Sequence, residues 1–423
     1  MDKTWKKIKM FFSDRQLRNR FLFVLGMFVV FRLLATIVIP GVDEIQLQRF
    51  LQSNSFFGLL NVFSGGGLAQ LSMVMLGVGP YITASIIMQL LTVMFPNLKA
   101  MYQDEGEIGR RKFSMYTRYL AVPMAYLSGF GLMVLLEQQG VLSAVSMFEK
   151  FAALSVIVAG SMLLLWIGEL ISEFGLGNGV SLIIFAGIAA AIPTQVSQFL
   201  FVYDPSQLPT VLLFGGVGLL MIALVVFITE AERPIPVTYA RFLQNGQTRG
   251  GGTSYIPIRI NQAGVMPIIF ALSILLFPQF IGNFLKSSAN ATIASIGTKM
   301  SLFTQGSVLY MILYFVLVFV FTYFYTAVTF DPKKMASNLQ KNSAFIPGIR
   351  PGEATEGYVG KIVARITFIG GLFLAVVAII PLLIQQFSGI TTIAIGGTAL
   401  LIVVSVIVDL LKKADAQLSM KEY

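Results

Sequence analysis

Ten apolar runs, most of them close to the length a bilayer demands, constrain this chain more than any other feature. They cover residues 21–39, 74–95, 118–137, 151–171, 179–200, 210–230, 264–282, 307–330, 362–384 and 391–411. A helix needs roughly 20 apolar residues to span the hydrocarbon. Only helices and closed barrels satisfy their backbone groups there, and barrel strands would read as short alternating segments rather than long runs. Charged residues make up 12% of the chain, against about a quarter in soluble domains, and the mean hydropathy is +0.79. The expectation is an all-α polytopic membrane protein with ten transmembrane helices. Met1 to Arg20 is basic and polar, and the run behind it is full length without a small-residue cleavage site, so no removable signal is expected.

Lys and Arg orient the runs. They crowd the leader 1–20, the loops 96–118, 231–263 and 331–361, and the tail 412–423, whereas the opposite loops carry only Arg49, Lys150, Lys286 and Lys299. The positive-inside rule then puts both termini in the cytoplasm of a cell-membrane protein. Much of the net charge of +10 is this excess, which also attracts anionic phospholipid. Loops 231–263 and 331–361 exceed the roughly 12–15 residues beyond which an unstructured connection is usually functional, which suits docking of a cytoplasmic partner. Five runs precede residue 205 and five follow it, so the halves 21–205 and 206–411 enter the membrane with opposite orientation. Inverted halves of this kind place a passage at their interface.

Between the first two runs lies an apolar piece, Phe56 to Phe63, too short to cross, which stops at Gly65 to Gly67. A half-length segment sits at membrane depth only when protein or a water-filled cavity surrounds it. It therefore reads as a re-entrant stopper or binding element. The chain has neither cysteine nor histidine, which excludes thiol chemistry, imidazole catalysis and the usual zinc sites. No phosphate-binding loop with its Lys-Ser/Thr is present. Glu137, Glu169, Glu173, Glu230, Asp331 and Asp409 all fall near run ends, with none in mid-membrane. No enzyme, cofactor or metal is expected. From the residues alone, a secondary transporter of a small solute stays open as the alternative to a channel, because inverted halves and broken helices occur there too.

Seven motifs in order carry a family resemblance. They are Phe63-Ser64-Gly65-Gly66-Gly67, the run Gly77 to Leu91, Gly106 to Lys112, Trp166-Ile167-Gly168-Glu169 with Gly177-Asn178-Gly179, Asn261 to Pro267, Ala344 to Glu353, and Gly396-Gly397-Thr398. With these the chain resembles the SecY family of protein-conducting channels from its leader to about residue 411. The resemblance implies two five-helix halves around a central pore with a re-entrant plug helix. Such a pore opens across the membrane for secreted chains and sideways for transmembrane segments. It also implies SecE and SecG as small companion subunits, the SecA motor ATPase and the ribosome as docking partners, and signal peptides and unfolded clients as cargo.

By that resemblance the pore ring maps onto Val78, Ile82, Val180, Ile184, Ile269 and Ile402. Val78 and Ile82 share one helix face, as do Val180 and Ile184, being four apart. Branched aliphatics offer water no hydrogen bond, and a narrow apolar constriction can gate by dewetting. The plug maps onto residues 57–68, with Phe57, Leu60, Phe63, Ser64, Gly65, Gly66 and Gly67. The lateral gate takes Thr83, Gln89 and Asn261, with Ser128 as a further candidate, joined by interhelical hydrogen bonds weak enough for a signal helix to displace. Arg350, in a turn fixed by Pro347, Gly348, Pro351 and Gly352, leads the partner-binding set together with Glu353. Arg241, Arg249 and Arg259 belong to loop 231–263, whose tip at 244–253 is less basic than the family commonly shows.

Overall fold

The computed structural model describes residues 13–39, 64, 66–68, 70–138, 140–141, 146–202, 208–239, 242–244, 247–249, 252–286, 290–301, 307–388 and 391–422. Every apolar run falls on a helix. The first half holds α1 (Arg15–Ala35), α2 (Gly79–Met94), α3 (Pro96–Gln103), α4 (Gly106–Gln138), α5 (Met147–Phe174) and α6 (Gly179–Val202). The second half opens with α7 (Leu208–Glu230), and strands β1 (Glu232–Tyr239), β2 (Phe242–Gln244), β3 (Gln247–Arg249) and β4 (Thr253–Arg259) follow. Then come α8 (Met266–Lys286), α9 (Ala291–Ser301), α10 (Val308–Thr329), α11 (Pro332–Lys341), β5 (Ala344–Phe345), α12 (Glu353–Ser388) and α13 (Thr391–Glu422). By length and hydropathy, α5, the stretch Val308–Lys341 and the stretch Glu353–Ile384 could each cross a membrane alone, and α2 with α3 would add a fourth as one broken span.

Local chemistry sets the helix boundaries. Ser146 and Glu149 close a reciprocal capping box at the start of α5, satisfying two backbone donors. Ser307 caps α10 by accepting from Tyr310 N at 3.1 Å. Pro96 denies α2 a further turn and opens α3, so the two helices bend by 113°. The second run was expected from residue 74. Instead residues 73–78 form turns, with Gly77 at φ +58°, and the helix starts at Gly79 with Pro80 in its first turn. This turn segment lies close on α5: a Cβ at Gly160 would collide with Met73 O.

Two expectations need correction. Loops 96–118, 231–263 and 331–361 are not bare connections, because α3, four strands, α11 and β5 occupy much of them. The fold is consequently not all-α. Strand β1 pairs antiparallel with β4 from Glu232↔Arg259 to Thr238↔Thr253 and takes β5 on its other edge, giving the order β4-β1-β5. Strands β2 and β3 extend the hairpin as a second ribbon. Ile235, Val237 and Ile258 bury themselves with Leu339, Ile346, Val359, Ile362 and Ile366, so the two basic loops fold as one body on the start of α12.

The helices close into a ring. Within the first half α1 packs on α5 and α6, α2 on α4, α4 on α5, and α5 on α6. Within the second, α8 packs on α9 and α10, α10 on α12, α12 on α13, and α13 on α7. Among the described residues, α2 and α4 pack against α8, and α6 packs against α13, across the two parts of the chain.

Candidate functional site

The six expected ring positions ride on α8, α13, α6 and the start of α2, which are four of the helices that make these contacts. Val78 caps α2 and is 1% exposed, and Ile82 follows one turn later at 6%. Ile184 on α6, Ile269 on α8 and Ile402 on α13 are 1%, 3% and 1% exposed. All five belong to one buried cluster, and half-buried Val180 packs against it. Asn178 orients the α6 pair, since its Oδ1 accepts from Val180 N and Ser181 N at 3.1 and 3.3 Å. Gly179 brings that end of α6 onto the α5 backbone, where a Cβ would collide with Gly168 O. These six side chains are aliphatic and carry no hydrogen-bond donor or acceptor.

The expected gate residues make local bonds rather than interhelical ones. Thr83 Oγ1 donates to Gly79 O at 3.2 Å and Gln89 Nε2 to Ser85 Oγ at 3.2 Å, both within α2. Asn261 precedes α8 and donates through Nδ2 to Gly264 O at 3.3 Å. Ser128 sits half-buried on α4. Gln89 Oε1 and Asn261 Oδ1 are left buried without a hydrogen-bond partner among the described residues. An unpaired buried acceptor of this kind costs about 1–3 kcal/mol.

Some contacts had no signal in the sequence. Gln103 Nε2 donates to Val328 O at 3.0 Å, Lys334 Nζ donates to Gln103 O, and Lys334 lies 3.8 Å from Asp104 Oδ1, so α3 is strapped to α10 and α11 across the halves. Arg118 and Glu169 pair at 2.5 Å between α4 and α5. A cavity of about 220 Å³ at the basic-loop end is lined by apolar side chains such as Leu182, Val265 and Leu410 together with the polar Asn178, Asn261, Asp409 and Lys413.

Arg350 is exposed in a turn between β5 and α12, where Gly348 and Gly352 take φ of +81° and +98° and Thr355 Oγ1 bonds Arg350 O at 2.9 Å. Pro351 and Glu353 flank it, both exposed, and Glu353 forms no ion pair among the described residues. Arg259 pairs with Glu232 at 3.4 Å across β1 and β4, and Arg249 ends β3. Arg241 lies outside the described residues. So do the plug positions Phe57, Leu60, Phe63 and Gly65, while Ser64, Gly66 and Gly67 fall in turns.

The fold defines a mostly helical protein with helices long and apolar enough to cross a membrane. The SecY family model matches residues 72–411. The protein translocase subunit SecY of Aquifex aeolicus is 41% identical over 435 aligned residues, covering 98% of each chain. That of Staphylococcus epidermidis is 38% identical over 424, covering 98% of this chain and 97% of its own. Among solved structures, one described as a protein conducting channel superposes with a TM-score of 0.62 at 20% identity, covering 94% of this chain and 92% of the other. Sec61 in the canine ribosome-channel complex from the endoplasmic reticulum gives 0.59 at 18% identity, with the same coverage. The chain belongs to the SecY family.

Proposed function

We propose that this chain is the protein-conducting channel of a translocase in the cell membrane, with both termini in the cytoplasm and ten spans in two inverted halves. Unfolded polypeptide passes through the waist formed by Val78, Ile82, Val180, Ile184, Ile269 and Ile402. Apolar segments leave sideways where α2 and α4 meet α8, the seam that carries Thr83, Gln89, Ser128 and Asn261. Residues 57–68 act as the plug. The observation that carries this reading is the burial of five aliphatic ring positions, on helices that join the two halves, in one hydrophobic cluster. A ring without polar atoms can open around any side chain and close again, since nothing in it has to be matched.

Nothing in the sequence supplies nucleotide chemistry, so the driving force comes from a partner or from the membrane potential. SecA or the ribosome docks on the body formed by the two basic loops, with Arg350 leading, Pro351 and Gly352 holding its turn, and Glu353, Arg241, Arg249 and Arg259 around it. A guanidinium on a rigid turn presents a planar fork to carboxylate or phosphate. SecE and SecG are the companion subunits, and the basic loops rest on anionic phospholipid. Resting ion conductance in a planar bilayer tests the seal. Ile184→Ser with Ile269→Ser is expected to raise the leak of the client-free channel well above wild type. An unchanged leak would mean that the seal lies elsewhere.

A further inference from the structure

Away from the waist, one cavity has a polarity gradient of its own. Between α4 and α5, at the end opposite the basic loops, an apolar crevice of about 300 Å³ is walled by Phe130, Val134, Met147, Phe151 and Leu154. Glu137 and Lys150 form its lip, where Lys150 Nζ donates to both Glu137 oxygens at 2.7 and 2.8 Å. Each of these side chains is about a third exposed, at 36% and 33%. Met147, Phe148 and Phe151 are 83%, 81% and 63% exposed, so the mouth opens outward from the bundle.

The placement of the charges decides what fits. Glu137 is the last residue but one of α4 and Lys150 lies in the first turn of α5, so the pair stands where both helices leave the hydrocarbon. From there the crevice descends about 6 Å to Leu154 and about 10 Å to Phe130, at 1.5 Å of rise per residue. A charged lip above an apolar shaft, running along the membrane normal, has the polarity order of a phospholipid. The lip also keeps unused capacity. Lys150 has a third N–H free for a phosphate oxygen, and each carboxylate oxygen of Glu137 retains a second lone pair for an ammonium donor.

We propose that this crevice binds one phospholipid of the leaflet opposite the basic loops, with a zwitterionic head carrying a primary ammonium. One acyl chain runs along Phe130, Val134 and Leu154, the phosphate meets Lys150, and the ammonium meets Glu137. A quaternary ammonium head has no N–H for Glu137, and a glycerol head has no cation for it. The site is separate from the waist and from either seam between the halves.

Lipid retention tests this directly. The full chain is reconstituted in vesicles of phosphatidylethanolamine and phosphatidylglycerol in equal parts, extracted in mild detergent, and its bound lipids are counted by native mass spectrometry. Two variants are compared: Val134→Trp, which fills the shaft, and Glu137→Gln with Lys150→Met, which uncharges the lip. Thermal melting selects folded samples, and the double variant keeps the test open should the bulky one fail to fold. Wild type is expected to retain one phosphatidylethanolamine per chain that both folded variants lose at least tenfold. Equal retention in wild type and variants overturns the proposal, as does equal retention of phosphatidylglycerol at the same position. So does a co-purified small membrane subunit occupying the crevice instead of lipid.

Discussion

Gln89 places its amide nitrogen on Ser85 Oγ and leaves Oε1 buried without a partner. Replacing a polar group so disposed with an apolar one of similar shape is nearly neutral or stabilising, because the unpaired acceptor disappears with it. Gln89→Met is therefore expected to favour the closed seam by about 1 kcal/mol, roughly fivefold in the gate equilibrium. Export through a weakly apolar signal should fall about fivefold while a strongly apolar one is spared. Unchanged export of both would remove Gln89 from the gate. Gly179 offers a second test, since a Cβ there meets the carbonyl of Gly168, whereas one at Gly215 meets nothing within 4 Å. Gly179→Ala should lose about 1–3 kcal/mol through overpacking and lower the melting temperature in detergent, and Gly215→Ala should not. At this scale the sequence was legible where chemistry is local. The Ser146–Glu149 box and Pro96 set helix boundaries through neighbours only a few positions away. The ion pair of Arg118 with Glu169 was not legible, because nothing in either residue's neighbourhood names a partner about fifty positions away.

At the scale of elements, the body built from 231–263 and 331–361 was hidden in the sequence. Pro234, Pro236 and Pro257 argue against strands, yet Pro234 pairs with Pro257 at a position where β1 has no neighbour on its other edge. The strands hold because Ile235, Val237 and Ile258 find α12 beneath them, a tertiary contact that no local pattern announces. Ile258→Asp should undo this packing, exposing the hairpin to limited proteolysis while the membrane helices stay protected. Uniform protection would show that the body is held by something other than that core. Arg350, in the exposed turn leading from this body into α12, should govern coupling to the partner rather than folding. Arg350→Ala is expected to cut partner-driven translocation by tenfold or more with the melting temperature unchanged. Arg350→Lys should restore it only partly, since an ammonium lacks the planar fork. Full activity of Arg350→Ala would move the docking contact elsewhere on the surface.

For the whole molecule, the apolar runs were enough to announce a mostly helical membrane protein, because a bilayer admits so few alternatives. What they could not supply was how the halves meet. The ring closes through α2 and α4 against α8 and through α6 against α13, with α3 strapped to α10 and α11 by Gln103 and Lys334. A solute transporter built on inverted halves would concentrate polar groups at its midpoint. Here Val78, Ile82, Ile184, Ile269 and Ile402, on elements that join the halves, are buried in one hydrophobic cluster. The most direct measurement exploits the absence of native cysteine. Single cysteines at Val78, Ile184, Ile269 and Ile402, each challenged with a secretory chain stalled in transit and carrying a matching probe, report which side chains touch the cargo. Crosslinks at all four positions, and none at a lipid-facing control such as Leu219, are the predicted result. Labelling confined to Leu219, with the four waist positions silent, would contradict a polypeptide path through the aliphatic ring.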